Sequence, residues 1–320
     1  MVTNSTQAQV IVVGAGNWGK NLVRNLHALG ALAGVAEAHP GLREAIATTY
    51  PDITTYSDFS AALATDVPAL VLATPAPSHY ELAMAALQAG KDVFVEKPMT
   101  LRTKEARELA EYADKHGRIL MVGHLLLYQP AIAWMRNYLA SGQAGKVLHV
   151  AARRLKLGKV RSEENVWWSF APHDVSVVLD LLGNPKLQSV QAQGHAILQP
   201  SIEDSVQVDL RFGSGQSAQI NCSWYWPLTE RSTVVIAEAQ MLVYDEVAQT
   251  VTIHHKHIDQ DLKHYDQGSE IVEVAASEPL KIECQHFLDC LQTRQTPRSD
   301  GWNGVAVVEI LEEAQKSLHG

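Results

Sequence analysis

Three stretches of this chain carry residues whose type and spacing suit chemistry. The first is V-I-V-V-G-A-G-N-W-G-K, where Gly14, Gly16 and Gly19 stand in G-x-G-x-x-G spacing around Asn17 and Trp18. In that pattern the first glycine permits a tight turn and the second lets the backbone approach a pyrophosphate. The third allows close packing of helix on strand. The helix that follows offers free N–H groups and a partial positive charge to phosphates. Glu37, 18 residues past Gly19, is spaced to accept hydrogen bonds from ribose hydroxyls and to repel the extra phosphate of NADP. The expected cofactor is NAD, with NADP disfavoured.

The second stretch is E-K-P. Lys97 follows the strand-like D-V-F-V, and ligands of open parallel sheets bind at the carboxyl ends of strands. A lysine there suits polarising a substrate oxygen or, with a lowered pKa, acting as a base. The third is W-S-F-A-P-H-D-V-S-V-V-L-D-L-L-G. Pro172 suits the first position of a helix with Val175, Val178, Leu179 and Leu182 on its apolar face, and Gly183 fits its stop. His173 and Asp174 are thereby expected in the first turn, where the helix dipole disfavours a protonated imidazole and leaves a base. Taken alone, Lys97 also reads as a solvated charge, His173 as a surface or interdomain histidine, and Asp174 as a complement to the dipole.

Other polar groups carry less. Arg153, Arg154, Lys156, Lys159 and Arg161 form a basic run that suits a phosphate or carboxylate, or a solvated loop. His254, His255 and His257 lie on an expected strand edge with no acidic partner in register, so no metal is expected. Trp224, Tyr225 and Trp226 read as core or interface. Cys222, Cys284 and Cys290 are odd in number and lack C-x-x-C spacing, which argues against a disulfide framework or a zinc site.

The elements that must position these residues follow from hydrophobic periodicity. Short apolar runs (Val10 to Val13, Ala31 to Ala36, Ala69 to Ala73, Asp92 to Val95, Ile119 to Val122) alternate with helical patterns up to about residue 122. That alternation predicts a doubly wound parallel sheet covered on both faces. Beyond residue 123, a helix at Pro130 to Ala140 and then mostly strands predict an α+β domain with an open mixed, mostly antiparallel sheet. Gly213-Ser214-Gly215 is expected to turn a hairpin. The expected division is 1–122 for NAD and 123–320 for substrate binding and oligomerisation.

Together the stretches GAGNWGKNLVRNL, ATPAPSHYELAMAALQAGKDVFVEKPMTL, ILMVGHLLLYQP, WWSFAPHDVSVVLDLLG and CQHFLDCLQTRQTPRSDG resemble the glucose–fructose oxidoreductase, inositol dehydrogenase and rhizopine-catabolism (Gfo/Idh/MocA) family over nearly the whole chain. The resemblance implies hydride transfer between a nicotinamide and a sugar or cyclitol carbon, and a C-terminal sheet that often forms an oligomer interface. By position it implies Lys97 and His173 as catalytic. It places Glu96 beside the nicotinamide and Thr74, Pro75 and His79 in a loop next to the cofactor. Many members carry Asp four residues before the histidine, where this chain has Ser169; a serine does not stabilise an imidazolium as a carboxylate does. KLGKVRSEENVWWSFAPHD is most similar to members acting on nucleotide-activated sugars, such as UDP-N-acetylglucosaminuronate 3-dehydrogenases. That likeness implies Arg161 or Lys159 at a carboxylate or diphosphate, Asn165 at a sugar hydroxyl, and Ser169 in the substrate pocket.

Bulk properties agree. Net charge is −9 and hydrophobic residues make up 46%, which disfavours nucleic-acid or anionic-membrane binding and allows a sizeable core. The polar start MVTNSTQAQ has no leader-like pattern and no apolar run approaches a membrane span, so a cytoplasmic protein is expected. A homodimer or homotetramer through the C-terminal sheet is the expected assembly. Two other functions stay open: a dehydrogenase of a free sugar or cyclitol, and a non-catalytic dinucleotide-binding sensor or co-repressor.

Overall fold

A computed structural model describes residues 8–319; most of the polar start lies outside the described residues. From the N-terminal side, strands and helices alternate as β1 (Val10–Val13), α1 (Gly19–Ala28), β2 (Leu32–Ala36), α2 (Pro40–Thr49), β3 (Thr54–Tyr56), α3 (Phe59–Leu63), β4 (Ala69–Leu72), α4 (His79–Gln88), β5 (Asp92–Glu96), α5 (Thr103–Lys115) and β6 (Leu120–Gly123). The strands form one sheet in the order β3-β2-β1-β4-β5-β6, every pair parallel. Every residue of β1, β4, β5 and β6 is buried. A sheet covered on both faces requires unbroken apolar strands, and each fully buried Val or Leu contributes roughly 1.5–3 kcal/mol. Strand order reverses between β1 and β4, and the loops leaving those two strands diverge to leave a crevice.

The next elements are α6 (Pro130–Ala140), β7 (Val147–Leu157), α7 (Val166–Leu182), β8 (Leu187–His195), β9 (Ser205–Phe212), β10 (Ser217–Ser223), β11 (Tyr225–Ala237), β12 (Met241–Asp245), β13 (Thr250–Ile258) and β14 (His264–Val272). They build an eight-stranded open sheet in the order β14-β13-β12-β11-β7-β10-β9-β8. Only β7 and β10 pair parallel; the rest is antiparallel. Val206, Val208, Leu210 and Phe212 of β9 are buried while Gln207, Asp209 and Arg211 are exposed, so one face is covered. The β9–β10 hairpin turns at Gly213–Gly215, as expected, with Phe212 N donating to Gln216 O.

The chain ends in α8 (Pro279–Thr293) and α9 (Gly301–His319). Two compact units result: residues up to Leu125 with Glu278–Val308, and Leu126–Ser277 with the residues from Glu309 onward. Residues 278–308 therefore return to the first unit, where the sequence reading kept them with the second. The reason is side-chain pairing at long range. Glu278 accepts from Arg24 and Asn25 of α1, and Arg294 grips Asp92 with both terminal nitrogens, at 2.5 and 3.0 Å.

Two further expectations are corrected. α7 begins at Val166, so Pro172 lies inside the helix and His173 and Asp174 sit near its middle, away from the first-turn dipole. Asn165 sets that earlier start by accepting from Trp168 N at 3.2 Å. β14, with the mainly exposed sequence HYDQGSEIV, has too little apolar alternation to read as a strand, yet it pairs antiparallel with β13 on both sides of a register shift between His254 and Lys256.

Candidate functional site

In the first unit, a cleft of about 520 Å³ opens where strand order reverses, lined by residues that include Gly14, Gly16, Asn17, Glu37, Thr74 and Pro75. The glycines divide the work. Gly14 has φ +90°, and a Cβ there would meet Ala73 O at 2.9 Å; a Cβ on Gly19 would lie 2.0 Å from Gly14 O. A Cβ on Gly16 would meet nothing within 4 Å, so this glycine faces open space, the place where a side chain would obstruct a phosphate. α1 has no side-chain cap and no acidic residue in its first turn, which leaves its N–H groups for an anion. The residues fit a dinucleotide.

Glu37 stands at the end of β2 with a fixed carboxylate. Its oxygens accept from Ala15 N at 2.7 Å and His39 N at 2.8 Å. Arg43 donates to the carbonyls of Glu37 and Ala38, so its guanidinium braces this loop.

The turn bearing Lys97 is tied to both sides of the cleft. Trp18 Nε1 donates to Glu96 Oε1 at 2.5 Å, and Lys97 N donates to Glu96 Oε2 at 3.2 Å. Gly123 makes room: a Cβ there would sit 3.0 Å from the Glu96 carboxyl. Burial pushes Glu96 up to about 7, against the lowering effects of Trp18 and Lys97. His79 is buried between two carbonyls, with Nδ1 2.8 Å from Pro98 O and Nε2 2.8 Å from Thr74 O. Burial lowers its pKa despite those bonds, and Lys97 adds to the lowering.

Two buried groups around this turn escaped the sequence reading. His124, just beyond β6, has Nδ1 2.7 Å from Asn303 Oδ1. Burial pushes it down to about 4, and the Lys97 charge acts in the same direction. Glu283 of α8 is fully buried, neither oxygen has a hydrogen-bond partner among the described residues, and burial pushes its pKa well above the ordinary glutamate value, with Glu96 acting in the same direction. A signal existed: Glu283 interrupts the apolar face Leu280, Cys284, Phe287, Leu288, Leu291, where an acid is costly.

In the second unit, the basic run separates by partner. Arg154 of β7 donates to Asp174 of α7 through Nε at 2.7 Å and Nη2 at 2.9 Å, and to Glu246. Arg154 is 9% exposed and Asp174 3%, so this bidentate pair is spent on the fold. Arg153 faces the opposite side of the sheet, 3.7 Å from Glu230. Arg161 is exposed on the loop after β7, 3.9 Å from Glu164. Asn165, expected at a sugar hydroxyl, is instead taken up by the fold: its amide donates to Glu203 at 2.7 Å and Gln315 at 2.9 Å while its oxygen caps α7. His173 and Ser169 are both on α7, half-buried and four residues apart.

Among the described residues, no group of three His, Cys, Asp or Glu is placed to hold a metal, and no helix is long and apolar enough to cross a membrane. An acidic neighbour not visible in the sequence, Glu270 of β14, stands 3.4 Å from His255, while His257 stacks on Tyr265.

Comparison with known proteins follows the same division. The family model described as "Oxidoreductase family, NAD-binding Rossmann fold" matches residues 8–124, and its partner, "GFO/IDH/MocA C-terminal domain", matches 132–243. The chain is 26% identical over 303 residues, 93% of each protein, to UDP-N-acetylglucosamine 3-dehydrogenase of Acidithiobacillus ferrooxidans. The crystal structure of that enzyme superposes with a TM-score of 0.85 over 97% of both chains at 25% identity. The chain is also 25% identical over 246 residues to the NAD-dependent scyllo-inositol 2-dehydrogenase of Bacillus subtilis, covering 72% of this chain and 69% of the relative.

Proposed function

The chain belongs to the Gfo/Idh/MocA oxidoreductases and binds NAD through a Rossmann unit, and from that premise we propose that it oxidises a secondary hydroxyl of a nucleotide-activated sugar, such as a UDP-sugar uronate, to a ketone. One observation carries the reading: the turn bearing Lys97 is fastened to the cofactor cleft from two directions, by Glu96 to Trp18 and by His79 to Thr74. Lys97 directly follows β5 and its backbone N donates to Glu96, so its backbone is held at the carboxyl end of that strand, and this reading sets its ammonium beside the nicotinamide.

When bound, the nicotinamide supplies the hydride acceptor. His173 takes the hydroxyl proton, directly or with Lys97, and Lys97 polarises the reacting oxygen. Ser169 lies one helical turn before His173 on α7, and in this reading it meets the sugar. Asn17, Trp18 and Gly16 hold the pyrophosphate end, Glu37 the adenosine ribose, and Thr74, Pro75, His79 and Glu96 the loops beside the nicotinamide. Arg161 meets an outer anionic group of the substrate. The exposed face of the second sheet, with Leu157 and Ile271 among its open apolar side chains, supports a homodimer or homotetramer.

The similarity to the UDP-N-acetylglucosamine enzyme over 93% of both chains favours the nucleotide sugar; the similarity to the inositol enzyme favours a free cyclitol as the second reading. Formation of reduced nicotinamide, followed by absorbance with UDP-N-acetylglucosaminuronate, UDP-N-acetylglucosamine and scyllo-inositol, separates them. Reduction with a UDP-sugar supports the first reading and reduction with scyllo-inositol alone the second. NAD binding without any reduction across a wide sugar panel would point to a sensor.

A further inference from the structure

Strand parity sorts the basic run more finely than pairing alone. Along β7 the even-numbered residues Val150, Ala152 and Arg154 are buried and face α7; Lys156 follows on the same face. Its ammonium lies 5.4 Å from the centre of the Phe170 ring on α7. The lysine stem passes close to Gly158, where a Cβ would stand 2.9 Å from Lys156 Cε. Phe170 precedes His173 by three residues, so the two share one stretch of helix surface.

The charges around Lys156 do not balance. Arg231 of β11 is opposite Arg154 in register and therefore on the same face, and it donates to Glu246 at 3.0 Å. Its Nε is buried with no hydrogen-bond partner among the described residues. Arg154, Arg231 and Lys156 thus face only two carboxylates, Asp174 and Glu246, and both are already held by the arginines. Lys156 has no carboxylate within ion-pair distance among the described residues. Burial lowers its pKa, and repulsion from Arg231 and Arg154 lowers it further. A partly desolvated cation beside two arginines is costly unless an anion arrives from outside.

We propose that Lys156 is a substrate-binding residue whose ammonium takes an oxyanion of the sugar substrate, a carboxylate or a phosphate, within one helical turn of His173. The proposal rests on the reading of His173 as a group facing the substrate. It gives the anion-binding role in the basic run to a half-buried side chain on a strand, in addition to the exposed Arg161.

The test is calorimetric titration, in saturating NAD, of UDP-N-acetylglucosaminuronate, UDP-N-acetylglucosamine and free glucuronate into wild type, Lys156→Gln and Lys156→Arg. Loss of a charge-assisted contact should weaken binding on the order of ten- to a hundredfold in Lys156→Gln, with partial recovery in Lys156→Arg and unchanged NAD affinity. Steady-state rates should show the loss in KM and leave kcat nearly intact. Weakening of both UDP-sugars alike identifies a phosphate; weakening of the uronates alone identifies a carboxylate. Wild-type affinity of Lys156→Gln for every ligand that binds would overturn the proposal while leaving the nucleotide-sugar reading in place. Binding of glucuronate alone, dependent on Lys156, would sink the nucleotide-sugar reading and keep the proposal. Failure of all three anionic ligands to bind wild type would overturn both.

Discussion

The two units build their sites from different material. In the first, the ligand-facing groups are largely main chain: the open side of Gly16, the uncapped start of α1, and a Glu37 carboxylate pinned by backbone N–H groups. In the second, the candidates are side chains on β7, on α7 and, for Arg161, on the loop between them, with β7 and α7 joined by the Arg154–Asp174–Glu246 network. A backbone-built cleft recognises a ligand through geometry that few substitutions can retune. A site of side chains on a strand and a helix changes specificity one residue at a time, which suits a shared cofactor and a variable substrate.

That contrast breaks most readily at the chemistry. Lys97→Ala and His173→Ala should each lower turnover by ~10²–10⁴ while NAD affinity stays nearly constant, by steady-state rates and calorimetry. Equal turnover in either variant would remove that residue from the mechanism. Next in size is the network behind His173. Arg154→Met leaves Asp174 buried without its cation and should cost about 3–5 kcal/mol in urea unfolding, far more than Arg153→Met on the exposed face. Similar losses in both would mean that the buried pair has no special weight.

A smaller effect sharpens the first unit. Glu37→Ser removes the carboxylate that repels the extra phosphate of NADP, and the preference for NAD should fall by roughly tenfold or more in paired dissociation constants. The smallest concerns Glu96. Burial raises it to about 7, so the folded protein keeps a proton that the unfolded chain releases above the ordinary glutamate value of 4.5. Its contribution to stability is present in acid and lost as pH rises through 7. Glu96→Gln should flatten the pH dependence of the unfolding midpoint between those values, with Trp18, Lys97 and Glu283 still in place around the site.

The same contrast explains what could be read in the residues. Gly14, Gly16, Gly19 and the unbroken apolar strands are local signals, because a tight turn and a doubly covered strand each dictate residue type directly. The start of α7 is not local in this way, because Pro172 resembles a helix's first residue while the true cap, Asn165, lies seven positions earlier. Arg154, Lys156 and Arg161 could not be separated in sequence. What distinguishes them is strand parity against α7 and carboxylates 20 and 92 residues away from Arg154. Glu283 and His124 owe their perturbation to burial by elements distant in the chain, which no local pattern carries.

The central claim is that Lys97 and His173 serve one hydride transfer to NAD. Single-turnover mixing of NAD-saturated enzyme with UDP-N-acetylglucosaminuronate and UDP-N-acetylglucosamine, read as absorbance of reduced nicotinamide, tests it most directly. Wild type should form reduced nicotinamide stoichiometric with sites with at least one of the two sugars, and His173→Ala should form it far more slowly at equal NAD occupancy. Reduction by His173→Ala at the wild-type rate, or none by wild type with NAD bound, would contradict the account.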